Sequence, residues 1–132
     1  MKFISEIIEY ETGVIPYRII RLQGGDINQV YHCITKNNQL VIKVNIAGKF
    51  PNMFEKEKKG LNLLEQSNFK IPKILSIGSF RKLDYLILEY IKPGKEINWK
   101  KFGENLANLH LISNDKFGLG YDNYIGSINQ IN

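Results

Sequence analysis

The sequence predicts an α+β domain built on a five-stranded antiparallel sheet, with one helix inserted between the third and fourth strands. Three observations lead to this fold class. Apolar residues recur every three or four positions at the start, the middle and the end of the chain, which is typical of amphipathic helices. Five runs rich in β-branched and aromatic residues lie between these segments. The connections between neighbouring strands are short, which favours antiparallel pairing.

The first half of the chain is predicted to contain two helices and three strands. An opening helix ends at Gly13, because glycine readily takes the left-handed conformation that terminates helices. The three strands are expected at residues 14–22, 30–35 and 40–44. A second helix begins after Asn52, which we expect to act as its N-cap.

The second half is predicted to contain two strands, at residues 74–80 and 84–91, and then a helix from Trp99 to about His110. Several glycines after Ser113 indicate extended or looping chain. We therefore divide the chain into residues 1–92, which carry the sheet, and residues 93–132, which contain a linker helix and a glycine-rich C-terminal segment.

Composition narrows the possible functions. Seven Phe, seven Tyr and 43% hydrophobic residues are enough for a folded core. The net charge of +5 is modest and is carried mostly by lysine, whereas sequence-specific nucleic-acid binding depends on arginine, so no nucleic-acid partner is expected. The longest apolar run, residues 85–91, is too short to span a membrane. Three early glutamates interrupt any secretory signal, so a cytoplasmic location is expected. Cys33, the single cysteine, is expected to be a small buried residue.

A glycine pair between the first two strands is the first candidate for binding chemistry. The segment runs Gly24, Gly25, Asp26, Ile27, Asn28. Such a turn can direct backbone N–H groups at an anion, but it can equally be a plain hairpin turn. No Gly-Lys-Ser/Thr follows, so this is not a Walker A loop. The loop alone is weak evidence.

Lys43 and Glu57 form the second candidate. Strand alternation places Lys43 on the sheet face opposite to its two neighbours, and a lysine there is costly unless it meets an anion or solvent. Glu57 follows Phe54 by three residues, which places it beside the inward face of the second helix. It also belongs to the charge-rich run 55–59, and such a run usually forms a solvated helix face. We predict an ion pair between Lys43 and Glu57.

The third candidate is the end of the last apolar strand, Glu89-Tyr90-Ile91, just before Pro93. Backbone groups at a strand end can hold a flat heterocycle between apolar walls. A strand that simply leaves the sheet for a turn explains the same residues.

These features, in this order, resemble the fructosamine kinase (ketosamine-3-kinase) family, within the group of protein-kinase-like phosphotransferases that includes aminoglycoside phosphotransferases and choline kinases. The segments that carry the resemblance are 24–28, 41–45, 53–61, 86–90, 102–110, and residues 117, 118, 122, 123, 125, 126, 130 and 132. They cover nearly all of the chain after about residue 20. The resemblance implies the small lobe of a kinase, with the second helix equivalent to helix αC of protein kinases.

The resemblance also implies ATP-dependent, Mg²⁺-assisted phosphorylation of the 3-hydroxyl of a ketosamine, either a small molecule or a glycated lysine of a protein. Lys43 would contact the nucleotide phosphates, Glu57 would orient Lys43, and residues 24–28 would cover the phosphates. Glu89 and Ile91 would offer backbone groups to adenine. A cysteine that some relatives carry in the glycine-rich loop is missing between residues 24 and 28.

The main departure from the family is that two motifs needed for phosphoryl transfer are missing from this sequence. The His-Gly-Asp catalytic loop and the later metal-binding motif do not occur, so we assign no catalytic residue and no metal ligand to this chain. We interpret the chain as an N-terminal lobe that is inactive alone and that self-associates through an exposed cleft face with Ile27, Val41 and Leu88. A related amino-sugar kinase and a non-catalytic nucleotide-binding or interaction module remain as alternatives.

Overall fold

The structure is a computed structural model that describes residues 1–24, 27–94 and 96–132. Within these ranges the chain forms three helices and seven strands. In chain order they are α1 (Lys2–Thr12), β1 (Arg18–Leu22), β2 (Gln29–Ile34), β3 (Gln39–Ile46), α2 (Met53–Leu64), β4 (Ile74–Phe80), β5 (Leu83–Glu89), α3 (Trp99–His110), β6 (Asn123–Ile125) and β7 (Ile128–Gln130). None of the helices in the described ranges is long and apolar enough to cross a membrane.

The first five strands form one sheet in the order β1-β2-β3-β5-β4, and every neighbouring pair is antiparallel. This confirms the predicted five-stranded antiparallel sheet with a helix inserted between the third and fourth strands. Strand β3 lies at the centre. Its Lys43 is in register with Val30 on one side and Leu86 on the other, so Lys43 lies over the middle of the sheet.

The two faces of the sheet carry separate cores. On one face, Ile4, Ile7 and Ile8 of α1 pack against inward side chains of the sheet. These are Tyr31, Cys33, Leu40, Ile42, Val44, Tyr85 and Ile87. On the other face, Phe54 of α2 packs against Leu86 and Leu88, with half-buried residues around them. Strand alternation produces this division, because odd and even positions of each strand face opposite helices.

Two expectations about the fold need correction. Strand β1 begins at Arg18 and not at residue 14, because Gly13 is left-handed (φ 69°) and Pro16 has no N–H to donate to a ladder. Asn52 precedes α2 as predicted, but its side chain does not cap the helix. Its backbone is left-handed (φ 58°), whereas a capping side chain requires an extended backbone.

The segment after α3 is extended and looping chain, as predicted. Two of its extended pieces pair as a small antiparallel hairpin, β6–β7, which turns at the left-handed Gly126. Helix α3 itself is confirmed, and the Asn98 side chain caps it by accepting a hydrogen bond from the Lys101 N–H at 2.9 Å. The division of the chain at residue 92 stays a prediction.

Candidate functional site

Lys43 and Glu57 meet across the interface between the sheet and α2, as predicted. The Lys43 Nζ lies 2.6 Å from Glu57 Oε1 and 2.7 Å from Oε2, so both carboxylate oxygens accept from one ammonium group. The two side chains are 22% and 26% exposed. The pair is therefore desolvated enough to be held in one geometry, and a ligand in solvent can still reach the ammonium.

Apolar contacts of α2 determine where Glu57 points. Phe54, one turn before Glu57, is buried against Leu86 and Leu88, and Leu61, one turn after it, packs at the edge of the same cluster. Residues three and four positions apart share one face of a helix, so this anchoring directs Glu57 at β3. Glu55 lies on the outer face and is exposed, as the helical spacing predicts.

The glycine-rich turn approaches the same place from β1 and β2. Gly24 has φ 105°, which disfavours residues with a side chain, and a Cβ at this position would meet nothing within 4 Å. The backbone here is open to a ligand. Ile27 and Asn28 are half-buried, whereas Gly25 and Asp26 lie outside the described residues. The predicted cover of a phosphate by residues 24–28 therefore stays a prediction.

Asn45 connects this turn to the rest of the site, and sequence reasoning assigned it no role. Its side chain is 7% exposed and lies on the same face of β3 as Lys43. The Asn45 Nδ2 donates to Asn28 Oδ1 at 3.0 Å and lies 3.8 Å from the sulfur of Met53, the first residue of α2. One amide thus joins the turn, the central strand and the helix. The available signal was an asparagine two residues after Lys43, at an inward position of an apolar strand.

Two backbone N–H groups at the end of β5 already donate hydrogen bonds within the fold. The Glu89 N–H donates to the Lys73 carbonyl at 2.9 Å, and the Tyr90 N–H donates to the Gln39 carbonyl at 3.3 Å. Among the described residues, no acceptor takes the Ile91 N–H. The N–H of Ile91 is thus a group of this segment that can serve a planar ligand, and a role for the Glu89 backbone stays a prediction.

An aromatic stack lies beside this strand end, and it was not anticipated. The Tyr90 ring stacks on the His32 ring with centroids 3.9 Å apart and planes 11° from parallel. His32 is buried, and its Nε2 lies 3.0 Å from Gln39 Oε1. Because His32 is in register with Val41, the stack lies on the same sheet face as Lys43. Sequence alone gave no reason to bring residues 32 and 90 together.

The expected exposed cleft face needs one correction. Ile27 and Val41 are half-buried, but Leu88 is only 7% exposed. Leu88 packs in the core under α2 with Phe54, so the helix that carries Glu57 also covers this leucine. Self-association through this face stays a prediction, and Leu88 is too buried to contribute to it.

A cavity of about 370 Å³ opens beside the ion pair. It is lined on one side by Ile27 and Asn28, on another by α2 with Glu57, and on the third by Tyr124 and Gly126 of the β6–β7 hairpin. Neither Lys43 nor Gly24 lines this cavity, but the Lys43 ammonium and the open backbone at Gly24 are groups that suit an anion such as a phosphate. The described part of the chain contains no cluster of three His, Cys, Asp or Glu side chains that could hold a metal ion. The groups described here therefore suit an anion.

Comparison with known proteins identifies the family. The family model described as fructosamine kinase matches residues 2–132, which is almost the whole chain. The chain belongs to the fructosamine kinase family. Its members include a probable ketoamine kinase of Vibrio parahaemolyticus, 35% identical over 131 residues, and one of Enterococcus faecium, 34% identical over 116 residues. These matches take in 92% and 87% of this chain but 45% and 40% of the relatives, so it spans less than half their length.

Solved structures agree with the kinase-like fold of this fructosamine kinase family chain. A candidate fructosamine-3-kinase from Haemophilus somnus superposes with a TM-score of 0.80 at 27% identity, over 98% of this chain and 45% of that one. An aminoglycoside phosphotransferase in complex with AMP-PNP and hygromycin B superposes with a TM-score of 0.53 at 19% identity, over 67% of this chain and 29% of that one. This second likeness concerns the fold alone. The chain thus has the small-lobe architecture that the sequence predicted.

Proposed function

We propose that this chain binds ATP and supplies the nucleotide side of a kinase that transfers the γ-phosphate to the 3-hydroxyl of a fructosamine. The acceptor would be a small sugar–amine adduct or a glycated lysine of a protein, and the outcome would be deglycation. The observation that carries the proposal is the two-oxygen ion pair between Lys43 and Glu57 at the centre of the sheet. A cytoplasmic location belongs to the same proposal.

The roles follow from the geometry of each group. Lys43 acts as a point charge for phosphate oxygens, and Glu57 restricts where its ammonium can go. The open backbone around Gly24 admits phosphate oxygens from the other side. Glu89 and Ile91 offer backbone groups to the adenine edge. Bound ATP supplies the phosphoryl group, and the proton acceptor and the Mg²⁺ ligands are assigned to no residue of this chain.

Phosphoryl transfer relies mainly on positioned charge, which is why a fixed lysine matters more than an exposed one. A free lysine side chain loses about 2 kcal/mol of rotamer entropy when it is ordered. In this chain Glu57 has already ordered Lys43 before a nucleotide arrives, so less of that loss falls on nucleotide binding.

Nucleotide binding is the first test. Titration of the labelled chain with MgATP, followed by amide chemical shifts, detects even millimolar affinity. We expect shifts around Gly24, Lys43 and Ile91, and a loss of affinity of about tenfold or more in Lys43→Ala, because a charged hydrogen bond is removed. Glu57→Gln should weaken binding less.

Matched controls lie on the same helix. Glu55→Gln removes an exposed carboxylate two residues away, and Lys58→Ala removes an exposed ammonium, so both should leave the affinity unchanged. Absence of any shift at about 10 mM nucleotide, a concentration that populates even a millimolar complex, would contradict ATP binding by this chain. Shifts that Lys43→Ala leaves intact would place the nucleotide elsewhere.

Phosphoryl transfer is the second test. The chain alone should not phosphorylate a fructose–lysine adduct, because it lacks an assigned proton acceptor. Turnover by the chain alone would overturn that part of the proposal. A full-length relative provides the positive control of the assay, and its turnover should fall when its equivalents of Lys43 and Glu57 are changed. If such a relative prefers a free amino sugar to the adduct, the amino-sugar kinase alternative replaces the proposed substrate. If this chain binds MgATP but the full-length relative phosphorylates no acceptor, the non-catalytic module is favoured.

A further inference from the structure

Helix α2 has few apolar contacts for an element that positions a charged group. Of its 12 residues, only Met53 and Phe54 are buried, and both lie in the first turn. Leu63 and Leu64 at the other end are largely exposed. Asn52 does not cap the helix, so the N-terminus of α2 also lacks the side-chain hydrogen bond that usually stabilises a helix start. The start of α2 is thus held by two buried apolar residues without a side-chain cap, and another element of the chain contacts it as well.

Tyr124 of β6 provides three such contacts at the start of α2. Its hydroxyl donates to the Pro51 carbonyl at 3.2 Å. The Lys56 ammonium lies 4.4 Å from the centre of the ring, within the range of a cation–π interaction. The Phe50 ring packs edge-on at 6.1 Å and 78°. One side chain thus holds the segment entering the helix and the residue next to Glu57.

The rest of the hairpin region contacts the same two elements. The Lys59 ammonium, one turn further along α2, lies 4.8 Å from the ring centre of Tyr121. Gly126 of the hairpin and Ile27 of the glycine-rich turn line the same cavity, and a Cβ at Gly126 would approach the Ile27 side chain to 3.9 Å, so the hairpin lies next to this turn. The hairpin lies between α2 and this turn and forms one wall of the cavity beside Glu57.

We propose that Tyr124 is a positioning residue, which holds the first turns of α2 so that the Glu57 carboxylate meets Lys43. Burial of Phe54 directs Glu57 at β3, and the chain segment after the linker helix then helps to hold the ion pair in that geometry. The consequence for nucleotide affinity rests on the function proposed above, whereas the consequence for the ion pair does not.

The test measures the ion pair directly. Limited acylation of the folded chain with acetic anhydride, read by mass spectrometry, gives the reaction rate of Lys43 relative to the exposed Lys36. In Tyr124→Ala we expect the relative rate of Lys43 to rise about threefold or more, towards the value in Glu57→Gln, because release of the helix end frees the ammonium. Amide hydrogen exchange in residues 53–57 should rise as well.

Two further variants separate positioning from general destabilisation. Ile125→Ala truncates the next residue of the same strand, which is 63% exposed, and should leave Lys43 at the wild-type rate. Tyr124→Phe keeps the ring contacts and loses only the hydroxyl bond, so its rate should lie between wild type and Tyr124→Ala. This variant keeps the test valid if Tyr124→Ala unfolds.

The outcomes distinguish the two proposals. A wild-type Lys43 rate in both Tyr124 variants, or an equal rise in Ile125→Ala, would overturn the role of Tyr124. A raised Lys43 rate in Tyr124→Ala supports it, whatever the chain does with ATP. If the MgATP affinity of that variant is nevertheless unchanged, the positioning role stands and the proposed function of the Lys43–Glu57 pair fails.

Discussion

The two faces of the sheet are covered by helices in different ways. Helix α1 inserts three isoleucines into a continuous apolar core, and two of them, Ile7 and Ile8, are fully buried. Helix α2 buries only Met53 and Phe54 of its first turn, with Leu61 at the edge of that small cluster, and an ion pair, a buried amide and the ring of Tyr124 add to the contacts on its side. One face is held by apolar burial, the other largely by polar and aromatic contacts.

This difference means that one face mainly stabilises the fold, whereas the other mainly positions the groups of the candidate site. Apolar burial is strong and does not depend on direction, whereas ion pairs and hydrogen bonds contribute little net stability but fix distances and angles. All the candidate site groups lie on the α2 face or at its edges. We therefore expect substitutions on the α1 face to change mainly the free energy of unfolding, and those on the α2 face to change mainly the geometry of the site.

The largest expected effect is on the α1 face. Ile7→Ala should lower the free energy of unfolding by about 2–5 kcal/mol, because it leaves a cavity in a closed core. Leu64→Ala, at a site on α2 that is 36% exposed, should cost less than about 1 kcal/mol. Urea unfolding of the two variants measures both values. Equal losses would show that the two helices are held alike.

The next largest expected effect is a dependence of stability on pH, which arises from the buried Cys33 thiol in the same core. Burial raises the pKa of the Cys33 thiol from 9.0 to about 12, so above pH 9 the thiol ionises in the unfolded chain but not in the folded one. The unfolded state then binds fewer protons, and stability falls as the pH rises from about 9 to about 12, with no contribution well below that range. At about pH 10.5 the loss should reach about 2 kcal/mol.

Tyr85, on the same face, adds to this trend at higher pH. Its pKa is raised from 10.0 to about 12, first by burial and then by the hydrogen bond that its hydroxyl donates to Glu11. Comparison of wild type with Cys33→Ala isolates the thiol, because both retain the tyrosine and the lysines. Urea unfolding at about pH 8 and about pH 10.5 gives the two losses. If both proteins lose the same stability, Cys33 is not protected in the folded chain.

The smallest expected effect concerns the polar link on the α2 face. In a double-mutant cycle of Asn28→Ala and Asn45→Ala, the coupling energy should be about 0.5–1.5 kcal/mol, the value of one hydrogen bond. Chemical unfolding of the four proteins supplies the cycle. Amide shifts of residues 27–29 should change in both single variants by similar amounts, and a coupling near zero would mean that the amide does not hold the turn.

The sequence predicted what depends on local pattern. The Lys43–Glu57 contact followed from two periodicities, that of a strand and that of a helix, which together placed both charges at one interface. The end of α1 at Gly13 followed from a residue type with a strong local preference. The bounds of β4 were predicted to the residue, since Pro72 and the turn after Phe80 enclose a short run with strand character.

What could not be predicted depends on contacts between distant segments. Tyr124 reaches Pro51, 73 positions away, and no periodicity in a three-residue strand points to such a partner. The same holds for the stack of Tyr90 on His32. Asn52 was assigned a capping role from its residue type, but its left-handed backbone removed the geometry on which that role depends.

The pairing of β3 with its neighbours gives Lys43 a second consequence, during folding. A slip of β3 by one residue would turn every side chain of the strand to the other face. Lys43 would then be driven among Ile7, Ile8 and the other apolar residues under α1, where an unpaired ammonium is very unfavourable. The charge that is suited to a phosphate thus also excludes the misaligned sheet, so a chain that has lost this lysine should tolerate alternative strand registers more easily.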